Sequence, residues 1–314
     1  MRMVTASAPG KIILFGEHAV VYGEPSLAGA IGKRTFVNLE KRSDGNITIN
    51  SNVSPYYISF PLDELKSVKW FPYVVKAIDL SFERIGKKSG LSIEIPSEIP
   101  VASGLGSSAS VSVATILAMH KAMGRNISND ELAKLGHKVE ISVQGAASPT
   151  DTLIATFGGI LFIEPEKQKY QRIDASIPLV VGATGIERST KVLIENVRAL
   201  KNKMPDVITP IIRNIGEITR RAKVVIEEGE DIGELMNVNH GLLSALGVSN
   251  LRLESLVFAS LEAGASGAKL TGAGGGGCMI AYAPGNHKKV ANAIEEYRCM
   301  AFESEITTEG ARIE

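Results

Sequence analysis

The segment that decides the fold is PVASGLGSSA, from Pro100 to Ala109. Directly behind its glycines, the chain from Ser107 to Met123 is apolar on nearly all sides and carries small residues throughout, which predicts a buried helix. Glycines allow the backbone to approach a ligand closely, and the start of a helix offers free N–H groups and a positive dipole end to an anion. We therefore expect a phosphate-binding loop, with one serine hydroxyl in reach of a metal ion. An N-cap with close packing would explain the bare pattern equally well.

Two familiar phosphate-binding motifs do not fit this segment. The pattern G-x-G-x-x-A at 104–109 matches the dinucleotide fingerprint in its letters. That fingerprint also needs a tight turn straight off a strand and an acidic residue about 20 positions later. Here Pro96 and Pro100 lengthen the approach, and the next acidic residue is Asp130. A Walker A motif is absent, because no Gly-Lys pair in the chain is followed by Ser or Thr.

A second glycine-rich segment, KLTGAGGGGC, runs from Lys269 to Cys278 between two short predicted strands. Four consecutive glycines cost much conformational entropy on folding, and a plain hairpin would need only one or two. The excess indicates backbone pressed against a ligand, for which phosphate is the natural candidate. A flexible surface loop is the alternative interpretation.

The N-terminal segment carries a third group of polar residues. Pro9-Gly10-Lys11 is followed by Gly16-Glu17-His18 and then by Tyr22-Gly23. Lys11 begins a short apolar strand, where a buried charge needs a partner, although an edge lysine that faces water is a simpler interpretation. A lone histidine such as His18 is more often a structural hydrogen-bonding residue than a ligand-binding one.

Two carboxylates complete the candidate set. Glu140 lies on a predicted helix, and Asp151 follows eleven residues later in an expected loop over 145–151. A helix carboxylate and a loop carboxylate can serve a metal ion and a proton transfer respectively. Each carboxylate alone would be interpreted as an ordinary surface acid. The presence of two glycine-rich loops in the same chain favours a functional role for the pair.

The rest of the chain predicts strands in its first third and mainly helices in its second half. Strands are expected at 11–15, 35–40, 46–50, 91–95, 157–164, 268–270 and 278–282. Helices are expected at 70–85, 107–123, 128–144, 190–203, 208–229, 232–246, 253–263 and 287–298. Residues 164–172 are expected to form an exposed turn or linker. A strand, a glycine loop and a strand packed by helices indicate an α+β sandwich.

Composition excludes several classes of protein. Basic and acidic residues both number 34, so the net charge is zero, which removes the case for nucleic-acid binding by overall charge. Two cysteines, Cys278 and Cys299, make neither a disulfide framework nor a four-ligand zinc site and suit a reducing cytoplasm. The most apolar run, 111–119, is far shorter than the ~20 residues that span a bilayer, and no apolar region precedes Ala6-Ser7-Ala8 as in a signal peptide. We therefore predict a cytoplasmic protein without membrane or nucleic-acid partners.

Together these segments resemble the signature of the GHMP kinases, the small-molecule kinases of galactose, homoserine, mevalonate and phosphomevalonate. The family's central motif, P-x-x-x-G-L-G-S-S-A, is matched from Pro100 to Ala109 without departure. The resemblance implies an α+β fold of two domains that meet at a cleft. Residues 1–170 would hold the phosphate loop and a left-handed βαβ unit, and residues 171–314 would form a ferredoxin-like α/β sandwich with the second glycine loop. A homodimer is also implied.

Within the family, the chain is most similar to the archaeal type of the branch that phosphorylates mevalonate. The similarity lies in residues 9–23 and in residues 145–159. A galactokinase would follow the Gly-Glu-His triplet with Thr-Asp, where this chain has Ala19-Val20, and homoserine kinases lack the triplet. The resemblance therefore implies mevalonate and ATP as substrates and Mg²⁺ as cofactor.

The resemblance also implies a role for each matched residue. Asp151 would accept or orient the proton of the 5-hydroxyl, while Lys11 would pair with Asp151 and stabilise the developing alkoxide. Ser108 and Glu140 would bind Mg²⁺. Direct substrate contacts would come from Glu17, His18, Thr190 and Arg188. The ATP phosphates would contact Pro100, Ser103, Gly104, Leu105, Gly106, Ser107, Ser108, Ala109, Gly274 and Gly275. The adenine pocket is expected within residues 50–110.

Two alternatives stay open. A kinase for phosphomevalonate or another small molecule is the nearer one, but a phosphorylated substrate would call for extra basic residues, and His18 argues against it. The other is a family member that has lost catalysis and senses a ligand. Such proteins usually lose the base or the metal ligand, whereas Lys11, Ser108, Glu140 and Asp151 are all present.

Overall fold

The computed structural model describes residues 3–53, 57–100, 103–145, 147–167, 169–187 and 189–314. Its strands are β1 (Val4–Phe15), β2 (Ser26–Arg42), β3 (Asn46–Ser51), β4 (Ile58–Pro61), β5 (Gly90–Ile95), β6 (Ile160–Glu164), β7 (Lys169–Ile173), β8 (Pro178–Ala183), β9 (Gly267–Thr271), β10 (Cys278–Tyr282), β11 (Met300–Glu305) and β12 (Arg312–Ile313). Its α-helices are α1 (Pro72–Ile85), α2 (Ser107–Ala122), α3 (Asn129–Gln144), α4 (Thr150–Phe157), α5 (Thr190–Lys203), α6 (Pro205–Glu228), α7 (Gly233–Ala245), α8 (Leu251–Glu262) and α9 (His287–Glu296). Short 3₁₀ helices span Ala19–Tyr22 and Leu62–Ser67.

The first sheet is mixed. Its strand order is β12-β1-β2-β5-β3-β4, and β6 pairs with β2 and with β7. β3 and β5 run parallel, with α1 in the connection between them, and the other pairings are antiparallel. This arrangement contains the βαβ unit that the family resemblance implied.

Helix α2 fills the space between this sheet and the neighbouring helices. It contacts β1, β2, α1, α3 and α4. Its side chains are mostly small or apolar, and Val113, Ile116 and Met119 are fully buried. The burial on several sides explains the sequence pattern and confirms the predicted buried helix. Because α2 packs on all these sides, its N-terminus is held against β1.

The second sheet is antiparallel, with the order β11-β8-β10-β9, and helices α8 and α9 pack on it. Its core is continuous with that of the first sheet, since Ile12 and Phe15 of β1 pack in one cluster with Val181 of β8 and Ile280 of β10. The α+β architecture is therefore confirmed. The domain boundary at residue 170 stays a prediction, and it falls within β7, which pairs with β6.

The structure corrects the sequence prediction around Asp151. Residues 150 and 151, the end of the loop expected over 145–151, belong to helix α4, and the strand expected from Phe157 begins at Ile160. Pro149 occupies the N-cap of α4. A helix of eight residues is too short for its periodicity to be told from the apolar run of a strand. Asp151 thus lies in the first turn of a helix.

Part of the linker expected at 164–172 is strand β7. The side chains of residues 169–172 are all exposed, so this edge strand lacks the alternating apolar pattern that identifies a half-buried strand. The sequence prediction also missed strands β4, β8, β11 and β12. None of the described helices has the length and apolar character that a membrane crossing requires.

A buried arginine fastens the C-terminal segment to the first sheet. Arg34, on β2, is only 6% exposed. Its Nε donates a hydrogen bond of 2.8 Å to Ser7 Oγ, and its Nη2 donates one of 2.6 Å to the carbonyl oxygen of Gly310. The last residues of the chain therefore belong to the packed structure.

We expect Arg34→Met to lower the free energy of unfolding by about 2 kcal/mol or more, because its charge-assisted hydrogen bonds to Ser7 and Gly310 are lost and the Ser7 hydroxyl stays buried. A urea titration followed by circular dichroism measures this change. Arg221→Met, at an exposed position of α6, is the matched control and should change stability by less than about 0.5 kcal/mol. Equal stability of the two variants would contradict the prediction.

Candidate active site

The glycine-rich segment 103–106, named the phosphate loop after its predicted role, approaches strand β1 so closely that a side chain at Gly106 would not fit. Gly106 has a φ of 75°, in the left-handed region, and forms the N-cap of α2. A Cβ at this position would lie 2.7 Å from Cγ of Lys11. The backbone N–H of Lys11 donates a hydrogen bond of 2.8 Å to the carbonyl oxygen of Leu105. Glycine is therefore required both by the backbone conformation and by the contact.

The N-terminus of α2 is free to bind an anion. No side chain caps it, so the first backbone N–H groups after Gly106 keep their donor capacity, and the helix dipole adds a partial positive charge there. Ser107 and Ser108 stand in the first turn and line a cavity of ≈ 460 Å³. This cavity is called the cleft below. Its geometry suits the negative phosphate groups that the sequence predicted for this loop.

The cleft brings together residues from separate parts of the chain. β1, the phosphate loop, the two carboxylate-bearing helices α3 and α4, the start of α5 and the second glycine loop all contribute to its wall. The lining residues are Lys11, Ile13, Pro100, Ser103, Gly104, Leu105, Gly106, Ser107, Ser108, Gln144, Asp151, Thr190, Gly272 and Ala273. Residues that are 262 positions apart in the sequence, such as Lys11 and Ala273, thus face one space.

Lys11 and Asp151 form an ion pair at the cleft. Nζ of Lys11 lies 3.1 Å from Oδ1 of Asp151, and the two side chains are 10% and 29% exposed. Lys11 reaches the cleft from β1, and Asp151 reaches it from the first turn of α4. The structure therefore brings the two predicted catalytic residues into contact, beside the phosphate loop.

Ser108 and Glu140 are also in contact. Oγ of Ser108 donates a hydrogen bond of 3.2 Å to Oε1 of Glu140, which is 3% exposed as a residue. Burial raises the pKa of Glu140 to about 7, and the negative charge of Asp151 contributes to this rise, while the Ser108 hydrogen bond and Lys11 oppose it. A buried carboxylate whose ionised form is this poorly compensated is suited to receive a cation.

The donor set fits a magnesium ion that is shared with a phosphate ligand. Among the residues that the structure describes, no group of three or more His, Cys, Asp or Glu side chains could hold a metal alone. Mg²⁺ is typically held by one or two carboxylates together with substrate phosphates, and hydroxyl and carboxylate oxygens are ligands of the kind it prefers. Ser108 and Glu140 meet that requirement beside the anion-binding helix terminus.

The second glycine loop is only partly at the cleft. Gly272 and Ala273 line it, but Gly274 and Gly275, the two predicted phosphate contacts, pack against protein. A Cβ at Gly274 would lie 2.0 Å from the carbonyl oxygen of Val248, and a Cβ at Gly275 would lie 2.9 Å from Leu193. Packing against neighbouring backbone and side chains thus accounts for these two glycines, and their phosphate role stays a prediction.

The four predicted substrate contacts have different positions. Thr190 lines the cleft at the start of α5, and Arg188 lies outside the described residues. Glu17 and His18 are buried, with 1% and 6% exposure, and both have partners within the protein. Their direct contact with a substrate stays a prediction.

Glu17 forms an ion pair with Lys269, and both side chains are completely buried. Nδ2 of Asn239 donates a hydrogen bond of 3.2 Å to the second carboxylate oxygen of Glu17. Burial lowers the pKa of Lys269, and the adjacent Glu17 opposes this shift. Sequence reasoning passed over Lys269 as a partner of Glu17, although a lysine between the apolar residues of a short strand is a signal that a buried countercharge exists.

A small pocket of ≈ 220 Å³ lies behind the phosphate loop. Ser107 is at its edge, and its other walls come from β2, β3, β5, α1 and α2. The apolar lining consists of Val53, Phe71, Tyr73, Val74, Ile95 and Val111, and the polar lining consists of Thr35, Ser51, Ser97 and Ser107. Most of these residues lie within the 50–110 range in which the sequence placed the adenine pocket.

Comparison with known proteins identifies two family models in this chain. The model of the GHMP kinases N terminal domain matches residues 72–159, and that of the GHMP kinases C terminal domain matches residues 221–299. A mevalonate kinase of Pyrococcus abyssi is 46% identical over 100% of this chain and 98% of its own length. A mevalonate kinase of Methanothermobacter thermautotrophicus is 37% identical over 92% of this chain and 93% of its own length.

Solved structures agree with the sequence relatives. The crystal structure of the Methanococcus jannaschii mevalonate kinase has a TM-score of 0.87 and 33% identity, covering 96% of this chain and 98% of the other. The crystal structure of the L. major mevalonate kinase in complex with R-mevalonate has a TM-score of 0.84 and 26% identity, covering 97% of this chain and 96% of the other. The similarity covers almost the whole length of this chain.

Proposed function

The chain belongs to the GHMP kinase family, and from this premise we propose that it transfers the γ-phosphoryl group of ATP to the 5-hydroxyl of mevalonate, a step of the mevalonate pathway. The observation with most weight is the Lys11–Asp151 pair at 3.1 Å, beside an uncapped helix terminus that can hold phosphate. Release of ADP by the purified protein, dependent on mevalonate and compared with galactose, homoserine and phosphomevalonate, tests the proposal.

The residues of the cleft divide the work of phosphoryl transfer. The N–H groups at the start of α2 hold the phosphates of ATP. The 5-hydroxyl oxygen attacks the γ-phosphorus, and Asp151 accepts or orients the hydroxyl proton. The bond between the γ-phosphorus and the oxygen of the β-phosphate breaks, and ADP leaves. Lys11 pairs with Asp151 and stabilises the negative charge that develops on the attacking oxygen. Catalysis of this kind depends on positioning and charge stabilisation more than on covalent chemistry.

Ser108 and Glu140 are the residues that would hold Mg²⁺ with ATP. When bound, the ion supplies charge neutralisation for the β- and γ-phosphates. The two carboxylates then have separate duties, because Glu140 has the serine hydroxyl as its neighbour whereas Asp151 has the lysine. Thr190, at the mouth of the cleft, is proposed to contact mevalonate.

The pocket behind Ser107 is proposed as the adenine site. It adjoins the phosphate loop, it has an apolar lining with aromatic rings from Phe71 and Tyr73, and it carries hydroxyl groups of Thr35 and Ser97 that can hydrogen-bond a base. The sequence range 50–110 predicted this location only in outline, because the wall is assembled from five separate elements.

The charges that line the cleft bear on the choice between mevalonate and phosphomevalonate as the substrate. Among the described residues that line the cleft, Lys11 is the single lysine or arginine. It already pairs with Asp151. A substrate that brings its own phosphate would find no further described cation in this wall. This composition favours mevalonate over phosphomevalonate. Assembly as a homodimer and a cytoplasmic location stay predictions from the family resemblance.

We expect Asp151→Asn to lower kcat by at least ~10²-fold, because the attacking hydroxyl loses its proton acceptor. The affinity for ATP, measured by calorimetry, should change by less than about tenfold, or ~1.4 kcal/mol. Asp206→Asn, at an exposed position in the first turn of α6, is the matched control. If kcat is kept while Mg-ATP affinity collapses, Asp151 is the metal ligand and the roles of the two carboxylates are exchanged.

Ser108→Ala should raise the Mg²⁺ concentration at half-maximal activity by roughly fivefold or more, the equivalent of ~1 kcal/mol, because one oxygen ligand is lost. The measurement is a Mg²⁺ titration at fixed ATP. Ser112→Ala, one turn further along α2, removes a hydroxyl that bonds to the Ser108 carbonyl at 2.7 Å and should leave the titration unchanged. Identical titrations for the wild type and Ser108→Ala would show that Ser108 is not a metal ligand and serves only as a hydrogen-bond partner of Glu140.

Val111→Trp should raise the KM for ATP by about tenfold or more while the KM for mevalonate changes little, because the larger side chain fills an apolar pocket that would otherwise hold the base. Steady-state kinetics with each substrate varied in turn separate the two effects. Val224→Phe, on an exposed face of α6, controls for the added aromatic bulk. An unchanged KM for ATP would exclude this pocket as the adenine site.

A further inference from the structure

We propose that Lys269 is a positioning residue for this phosphoryl transfer: its buried ammonium group holds Glu17 and thereby fixes the strained turn at His18 against the wall of the cleft. The inference rests on the proposed function, because its consequence is measured as kinase activity. It concerns the buried pair beneath the cleft and assigns no contact between Lys269 and a substrate.

The turn at His18 has an unfavourable backbone conformation. Its φ is 60° and its ψ is −42°, which a residue with a side chain rarely adopts. The N–H of Ala19 donates a hydrogen bond of 2.6 Å to the carbonyl oxygen of Glu17, so the three residues form a γ-turn of the rarer, strained type. Such conformations persist only where the surroundings hold them, and they concentrate at functional sites.

The buried ion pair supplies that constraint. Lys269 and Glu17 have side chains that are 0% exposed. Nζ of Lys269 donates a second hydrogen bond of 2.7 Å to the carbonyl oxygen of Leu270, and it lies 5.9 Å from the centroid of the Phe15 ring. Asn239, on α7, completes the coordination of the carboxylate. The first residue of the turn is therefore held from both β9 and α7.

The turn is connected directly to the cleft. Nε2 of His18 lies within hydrogen-bond distance, 2.8 Å, of the carbonyl oxygen of Ala273, a residue of the cleft wall. Beside it, Oγ1 of Thr271 donates a hydrogen bond of 2.8 Å to the carbonyl oxygen of Ile13, and the N–H of Ile13 donates one of 3.0 Å to Thr271 Oγ1. Ile13 also lines the cleft. Displacement of Lys269 would therefore move both the second glycine loop and the strand that carries Lys11.

Stability alone does not account for the pair. A buried ion pair can often be replaced by apolar residues of similar volume without loss of stability, whereas removal of one partner is strongly destabilising. The pair is placed where β1 and β9, from different sheets, meet beneath the cleft. Its geometry points to a role in holding the two walls of the cleft in alignment.

Two variants separate positioning from stability. Lys269→Met leaves the Glu17 carboxylate buried without a countercharge, and we expect a lower Tm and a loss of activity. The double variant Lys269→Met with Glu17→Gln leaves no buried charge and should recover most of the lost Tm. Its kcat/KM for mevalonate, measured well below the Tm at saturating ATP, should nevertheless stay at least about tenfold below that of the wild type, because the ionic constraint on the turn is gone.

The KM for ATP should change less than the KM for mevalonate in the double variant, because the phosphate loop is held separately by α2. Arg34→Met removes another buried cation, one that lies outside the cleft wall, and should lower the Tm while kcat/KM stays at the wild-type value. Wild-type kcat/KM in the double variant would overturn the positioning role. A wild type that lacks mevalonate-dependent ADP release would instead overturn the proposed function, so the two failures are distinct.

Discussion

The close approach of the phosphate loop to β1 is the contact on which the rest of the site depends. Gly106 touches the Lys11 side chain, and Leu105 accepts a hydrogen bond from the Lys11 backbone. The same contact therefore sets the position of the anion-binding helix terminus and that of the lysine. Since α2 is buried among the sheet and three helices, the loop is fixed by the hydrophobic core, and the first residues of α2 need no capping side chain.

A second constraint concerns the opposite wall of the cleft. The turn at His18 costs about 1–3 kcal/mol of backbone strain on general grounds, and no single hydrogen bond of ordinary net strength, about 0.5–1.5 kcal/mol, reliably offsets that. Several contacts hold the turn together, namely the Glu17–Lys269 pair, the Asn239 amide and the Ala273 carbonyl oxygen. The wall is thus tied to elements from both sheets, whereas the phosphate loop is held mainly through α2 and its contacts with the first sheet and three helices.

The parts of this structure that the sequence could predict are those with a local signature. The buried helix α2, the helix α3 expected from residue 128 and the glycine loop before α2 all follow from composition and spacing within a few residues. The partner of Glu17 could not be found in this way, since Lys269 is 252 residues distant and only the fold brings the two together. The edge strand β7 was missed because its side chains at 169–172 are all exposed, and the helix α4 was missed because eight residues are too few to show a helical period. At Gly274 and Gly275 the sequence correctly indicated a close approach to the backbone. The neighbours in the structure are Val248 and Leu193, whereas the sequence prediction was a phosphate.

The charges at the cleft explain why the two carboxylates need different neighbours. The positive charge of Lys11 acts on both Glu140 and Asp151, but its ion pair is with Asp151. Burial is the main cause of the raised pKa of Glu140, about 7, and the negative charge of Asp151 adds to it, because one ammonium group cannot neutralise two neighbouring carboxylates. ATP would bring further negative charge to the same place. A divalent cation at Ser108 and Glu140 would meet both demands at once, and Asp151 would stay free to accept the hydroxyl proton. The proposed division of roles between the carboxylates therefore rests on the presence of a single lysine on β1.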